Sequence, residues 1–210
     1  MRRKYGVLIV VMLLMSLSLS FVAQSGSEQE PEVIDKKFDV KLFGTIPFLP
    51  QFWFKNVDFQ SVWFYEEQTE PQSLYIVMKV RDLKMSSQIY DYIYVVDWIY
   101  DNVSYGASVH LLPEGFTPFI VGTLDEDGND YIDYSVCQGS FDENQDTITW
   151  KIQKQDIGGP SVGEMFSDIF PSTHLRFPLS SGFIKMDLFK DLSWNARLIT
   201  DYTIQYSPRI

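Results

Sequence analysis

The chain has a single cysteine, Cys137, and two histidines, His110 and His174, in 210 residues. One cysteine excludes an internal disulfide, and Cys137 reads as a small buried hydrophobe. The histidines show no metal-ligand spacing to each other or to Cys137, which leaves no zinc motif. Positive charge is scarce as well: 17 Lys and Arg stand against 28 Asp and Glu, a formal charge of −11. Arg2, Arg3 and Lys4 supply three of those basic side chains, so the remainder is more acidic still. Without a basic face to neutralise phosphates, nucleic acid is excluded as a partner. An acidic exterior suits solubility or cation binding. No internal repeat or low-complexity block occurs.

What the chain does have begins at its N-terminus. Arg2, Arg3 and Lys4 precede an apolar run from Gly6 to Ala23, and small polar residues follow. That is the layout of an export signal, with Ala23-Gln24-Ser25 as the processing site. The run also approaches the roughly 18 residues of a membrane-spanning helix, so an uncleaved anchor is the alternative. Either way, the rest of the chain is expected outside the cytoplasm, and membrane contact is expected only through this segment. Residues 1–25 are therefore read as signal or anchor, the polar stretch 26–37 as a linker, and 38–210 as one domain.

Strand periodicity dominates that domain. "SLYIVMKV" sets Leu74, Ile76, Met78 and Val80 on one side, and "TITWKI" does the same with Ile148, Trp150 and Ile152. Similar runs start near Lys37, Ser61, Tyr90, Tyr105, Pro118, Asp130, Gly182 and Thr200, with turn residues between them. This predicts a mostly β fold, an antiparallel two-sheet sandwich of jelly-roll or immunoglobulin-like type. One helix is expected over 161–170. In "SVGEMFSDIF", Ser161 and Glu164 have capping-box spacing, and Val162, Met165, Phe166, Ile169 and Phe170 recur at helical intervals before Pro171. The aromatic, proline-interrupted stretch 43–54 is expected to close one end of the sandwich.

Several stretches invite a chemical reading. In "GTLDEDGNDYIDYS", Asp125, Asp127 and Asn129 match the first three ligand positions of an EF-hand loop. Gly128 and Asp130 then break the pattern, and Val136 stands where the bidentate acid belongs. Asp127-Gly128 between apolar strands is instead a hairpin signal. Calcium on Asp125, Asp127, Asn129 and Asp130 remains a cofactor expectation, because hard cations accept clustered carboxylates. "GPSVG" matches the nucleophile-elbow pattern, but Ser161 reads as a helix cap, with no tight strand-to-helix elbow around it. Asn102-Val103-Ser104 is a glycan acceptor sequon. In "YDYIYVVDW", Tyr92, Tyr94 and Trp98 share one strand face. Facing out, that row would stack sugar rings, each contributing roughly 2.5 kcal/mol; facing in, it would be core.

The stretches "SVWFYEEQTEPQSLYIVMKVRD", "DYIYVVD" and "ITWKIQKQDIG" together resemble the DOMON-like superfamily, which includes family 9 carbohydrate-binding modules. Trp63, Asp91 and Asp97 match positions in that pattern, and the similarity spans roughly residues 57 to 160. The resemblance implies an antiparallel β-sandwich that binds sugar, or in some members haem, without chemistry of its own. Met78 with His174 is the axial pair the haem reading would need. The expectation is an exported, non-catalytic module for carbohydrate or another cell-surface ligand. Its alternative is a structural or adhesive envelope protein making protein contacts, and the third reading is a haem-binding electron carrier.

Overall fold

The computed structural model describes residues 26–35, 41–42, 55–85, 90–125, 128, 130–176, 187–192, 197–199 and 201–206. The chain order begins β1 Val33–Ile34, β2 Lys41–Leu42, β3 Phe59–Tyr65, β4 Ser73–Val80 and β5 Asp91–Tyr100. It continues with β6 Val103–Leu112, β7 Gly115–Phe116, β8 Phe119–Leu124, β9 Tyr131–Asp142 and β10 Thr147–Gln153. A 3-10 turn at Lys154–Ile157 leads to β11 Met165–Arg176, β12 Asp187–Leu192, β13 Arg197–Leu198 and β14 Tyr202–Thr203. Every strand pairing among them is antiparallel. No helix among the described residues is long and apolar enough to cross a membrane. The expected signal or anchor and the 43–54 loop lie outside the described residues.

The mostly antiparallel β class is as the alternation predicts. Hydrogen bonding runs along one curled path, β13-β1-β3-β4-β10-β9-β8-β6-β5-β11-β12-β2, with β14 on β11 and β7 on β6. β9 is where the path turns: residues 131–137 pair with β8 and residues 138–142 with β10. One long strand can serve two sheet halves because its two edges are used at different places along its length.

The inside of the curl is the core. Leu74, Ile76, Met78 and Val80 of β4 and Ile148, Trp150 and Ile152 of β10 are fully buried there. From the far half come Tyr92, Tyr94, Val96 and Trp98 of β5. Phe64 of β3 meets Trp98 edge-on at 6.0 Å between ring centroids and stacks on Tyr202 at 5.4 Å. Phe119 meets Trp150 at 5.9 Å and Tyr94 meets Phe141 at 6.3 Å. Such aromatic pairs add to the burial of large apolar areas, so the curl is closed by side chains that backbone pairing does not link.

Two expectations are corrected. The segment 161–170 is no helix: a turn at its start leads directly into β11. The reason lies at Asp168, whose φ is 49°, where the register against β5 slips by one residue between Ser167 and Phe170. That bulge puts buried Phe166 and Ile169 three apart, which imitates helical spacing. The capping-box contact exists without a helix, since Ser161 N–H donates to Glu164 Oε2 at 2.5 Å. Part of the stretch read as a linker likewise belongs to the sheet, because Val33 is buried and β1 pairs with both β3 and β13.

Hairpin tips follow turn chemistry. Asp101 and Asn102 both have positive φ, 49° and 60°, and join β5 to β6 as a two-residue turn. β8 and β9 form the hairpin expected around Gly128, with Leu124 opposite Tyr131 and Asp125 N–H donating to Asp130 O at 2.9 Å.

Candidate functional site

The side of β5 that faces away from the core forms the floor of a cavity of about 540 Å³. Its layout follows from strand register. Ile93 of β5 lies between His110 of β6 and His174 of β11. Two residues on, Val95 lies between Ser108 and Ser172, and two further on Asp97 lies between Gly106 and Phe170. Adjacent strands are about 4.8 Å apart, so the two histidine backbones stand about 10 Å from each other. Both histidines of the chain therefore line one cavity, although 63 positions of sequence separate the strands' residues that carry them.

One end of the cavity is basic and the other acidic. Arg176 lies beyond the histidine row, opposite Asp91 in register. At the far end Leu124, Asp130 and Tyr131 of the β8–β9 hairpin close over Asp97. Gly106 makes that approach possible. A Cβ there would lie 2.7 Å from Asp97 Oδ1 and 3.1 Å from the Tyr131 hydroxyl, so only glycine leaves both groups their place. Burial raises the Asp97 carboxyl to about 7. Burial also holds the Tyr131 phenol far above its usual range, with the Asp97 charge acting in the same direction.

Ser172 Oγ lies 3.1 Å from His174 Nε2, a nucleophile-to-base distance. Chemistry would also require donors aimed at a developing oxyanion. Residues Ser172–Arg176 pair with β5 on one side and β12 on the other, which commits their backbone donors to the ladders. The arrangement is suited to hydrogen bonding a bound molecule.

The sequence-derived candidates fall elsewhere. Of the two orientations open to the Tyr92, Tyr94 and Trp98 row, the molecule adopts the inward one. Those residues are 6%, 0% and 1% exposed, in the core, on the opposite face of β5 from the cavity. A stacked sugar needs an open ring face, so these rings are not the ones to offer it. Asp125 and Asp130 flank the hairpin tip, while Asp127 and Asn129 lie outside the described residues. Among the described residues no group of three or more His, Cys, Asp or Glu is placed to hold a metal ion. Asn102 is exposed at its hairpin tip. Met78 is fully buried inside the curl, and His174 faces the cavity, so the structure does not bring that pair together. Ser161 is exposed in a turn. Cys137 is half-buried, and desolvation pushes its thiol up to about 12, which makes it unreactive.

Tyr131, Ser172 and Arg176 were not singled out by the sequence, and Asp97 entered only through the resemblance. The signal that would have found part of the site is "SxHxR" at 172–176, a polar alternation that a strand reading of this segment puts on one face. Comparison with protein-family models, with curated proteins and with solved structures finds no match to this chain.

Proposed function

We propose that this is an exported, non-catalytic binding module for carbohydrate or another cell-surface ligand, with the β5 cavity as its site. The two halves of the curled sheet then act as the layers of a sandwich, and the outer face of one layer holds the ligand. The observation that carries the reading is the convergence of His110, Asp97, Tyr131, Ser172 and His174 from four strands around an apolar floor of Ile93 and Val95. A concave site in which polar groups converge beside apolar side chains is what small-molecule sites look like. Hydroxyl-rich ligands suit it because serine, histidine, tyrosine and carboxyl groups both donate and accept. The test is a glycan array followed by calorimetry, with calcium and with chelator. Val95→Trp, which fills the middle of the floor, should weaken any ligand found by at least about tenfold, or 1.4 kcal/mol, with the fold intact. Unchanged affinity in that variant places the ligand elsewhere.

A second reading, a structural or adhesive protein making protein contacts, is favoured by β9. Ile132, Tyr134 and Val136 are 71%, 61% and 67% exposed along one side of it, an apolar stripe of the kind found at interaction surfaces. Light scattering across a concentration series is expected to show mass growing with concentration if the stripe is used between copies. A constant monomer mass would remove self-association through β9.

A further inference from the structure

We infer that the Asp97 end of the cavity receives an ammonium group, so that the ligand class is a hydroxylated primary amine of amino-sugar type. This rests on the cavity being the ligand site and sharpens what it takes.

Asp97 Oδ1 is buried with no hydrogen-bond partner. No lysine or arginine lies within ion-pair distance of Asp97 among the described residues. Buried polar atoms are nearly always partnered, and an orphaned carboxyl oxygen facing a cavity calls for a donor from outside the chain. The place for that donor is defined on two sides. Asp97 Oδ1 and the Tyr131 hydroxyl pack together over Gly106, and both are buried without a hydrogen-bond partner. A carboxyl oxygen and a phenol oxygen left without donors at one end of the cavity suit the N–H bonds of an ammonium.

Charge decides between an amine and a neutral hydroxyl. A charge-assisted bond to a carboxylate is roughly twice as strong as a neutral one. The residues packed on Asp97 from β6 and β11, Gly106 and Phe170, carry no charge, and Asp130 of the hairpin is acidic. The basic groups His110 and His174 lie four residues along the strands, about 13 Å away by backbone rise. The net charge of −11 also raises the local concentration of cations. A carboxylate or phosphate at this end would meet the opposite field.

The test is calorimetry on the full chain with glucosamine, glucose and N-acetylglucosamine at pH 7.5, alongside Asp97→Asn. Glucosamine should bind at least about tenfold tighter than the two neutral sugars. Asp97→Asn should abolish that preference, so that this variant binds glucosamine no tighter than glucose. Because burial raises the Asp97 carboxyl to about 7, wild-type affinity for glucosamine should fall roughly twentyfold from pH 7.5 to 5.5. His110 and His174 also line the cavity, and a flat profile in Asp97→Asn assigns the pH dependence to Asp97. Equal binding of the three sugars, or a preference that survives in Asp97→Asn, overturns the ammonium subsite and leaves the binding-module reading standing. Failure of all three sugars to bind, with no sugar found on the array, overturns both.

Discussion

Replacing Lys154 by Met is expected to lower the unfolding free energy by about 3–5 kcal/mol, read as a shifted urea midpoint at unchanged slope. Lys154 and Glu66 are both buried, and Lys154 Nζ donates to Glu66 Oε2 at 2.5 Å and also to Tyr206 O. Removing the ammonium strands a carboxylate away from water, and desolvation makes that costly. A simple buried ion pair often tolerates joint replacement by apolar residues. This one is not simple. Glu66 Oε1 accepts from Tyr202 OH at 2.9 Å and from Gln205 N–H at 2.8 Å, while Oε2 accepts from Tyr206 N–H at 3.1 Å. The double variant Glu66→Leu/Lys154→Met leaves those donors orphaned, so it should remain roughly 2 kcal/mol or more below wild type. Recovery to wild-type stability would show that the carboxylate does not anchor residues 202–206. The same contacts place Tyr202 against Phe64, so loss of the anchor should also loosen that end of the core.

Stability is expected to fall as pH rises from about 4.5 to 7, by roughly 3 kcal/mol from Glu32 alone. Glu32 is buried, its Oε2 accepts from Phe64 N–H at 2.9 Å, and burial raises its carboxyl from 4.5 to about 7. A raised acid holds its proton in the folded state where the unfolded chain has released it. Folding is then favoured fully below the unfolded value and progressively less up to the folded one. Asp97, raised from 3.8 to about 7, acts with the same sign. The exposed carboxyls of Glu70, Asp82 and Glu164 are lowered by bonds to Lys151, Lys55 and Tyr100, respectively. Their contribution is lost only as pH drops below the ordinary carboxylate range, so the two sets do not cancel. Maximum stability should therefore lie near about pH 5, below the neutral pH where many proteins peak. Glu32→Gln keeps an acceptor for Phe64 N–H and removes the titration. Its denaturant midpoint should match wild type near pH 4.5 and exceed it at pH 8. A wild-type midpoint that is flat between pH 5 and 8 would contradict this account.

The alternation in "SLYIVMKV" and "TITWKI" was sufficient to identify β4 and β10, because in a strand successive side chains take opposite faces whatever lies across from them. Asp-Gly marked a hairpin tip for an equally local reason, the tolerance of those residues for positive φ. Composition was legible too, since acidity does not depend on how the chain packs. Lys154 fell within "ITWKIQKQDIG", a stretch read only for its resemblance, and nothing local showed that its charge is buried.

Three matters were decided only by tertiary structure. The alternation of β5 divides Tyr92, Tyr94 and Trp98 from Ile93, Val95 and Asp97, and both faces are mostly apolar. Which face is core depends on Phe64 and Phe166 packing against Trp98, with Tyr202 behind them, and those side chains come from strands distant in sequence. At Asp168 one extra residue resets the phase of β11, so a purely periodic reading produces a helix where a bulged strand stands. The cavity itself depends on register. His110 and His174 become neighbours of Ile93 only when β6 and β11 pair with opposite edges of β5, a long-range match that no window along the chain contains. Local periodicity determines what an element is; contacts between elements determine which of its faces meets water, and with that where a ligand can bind.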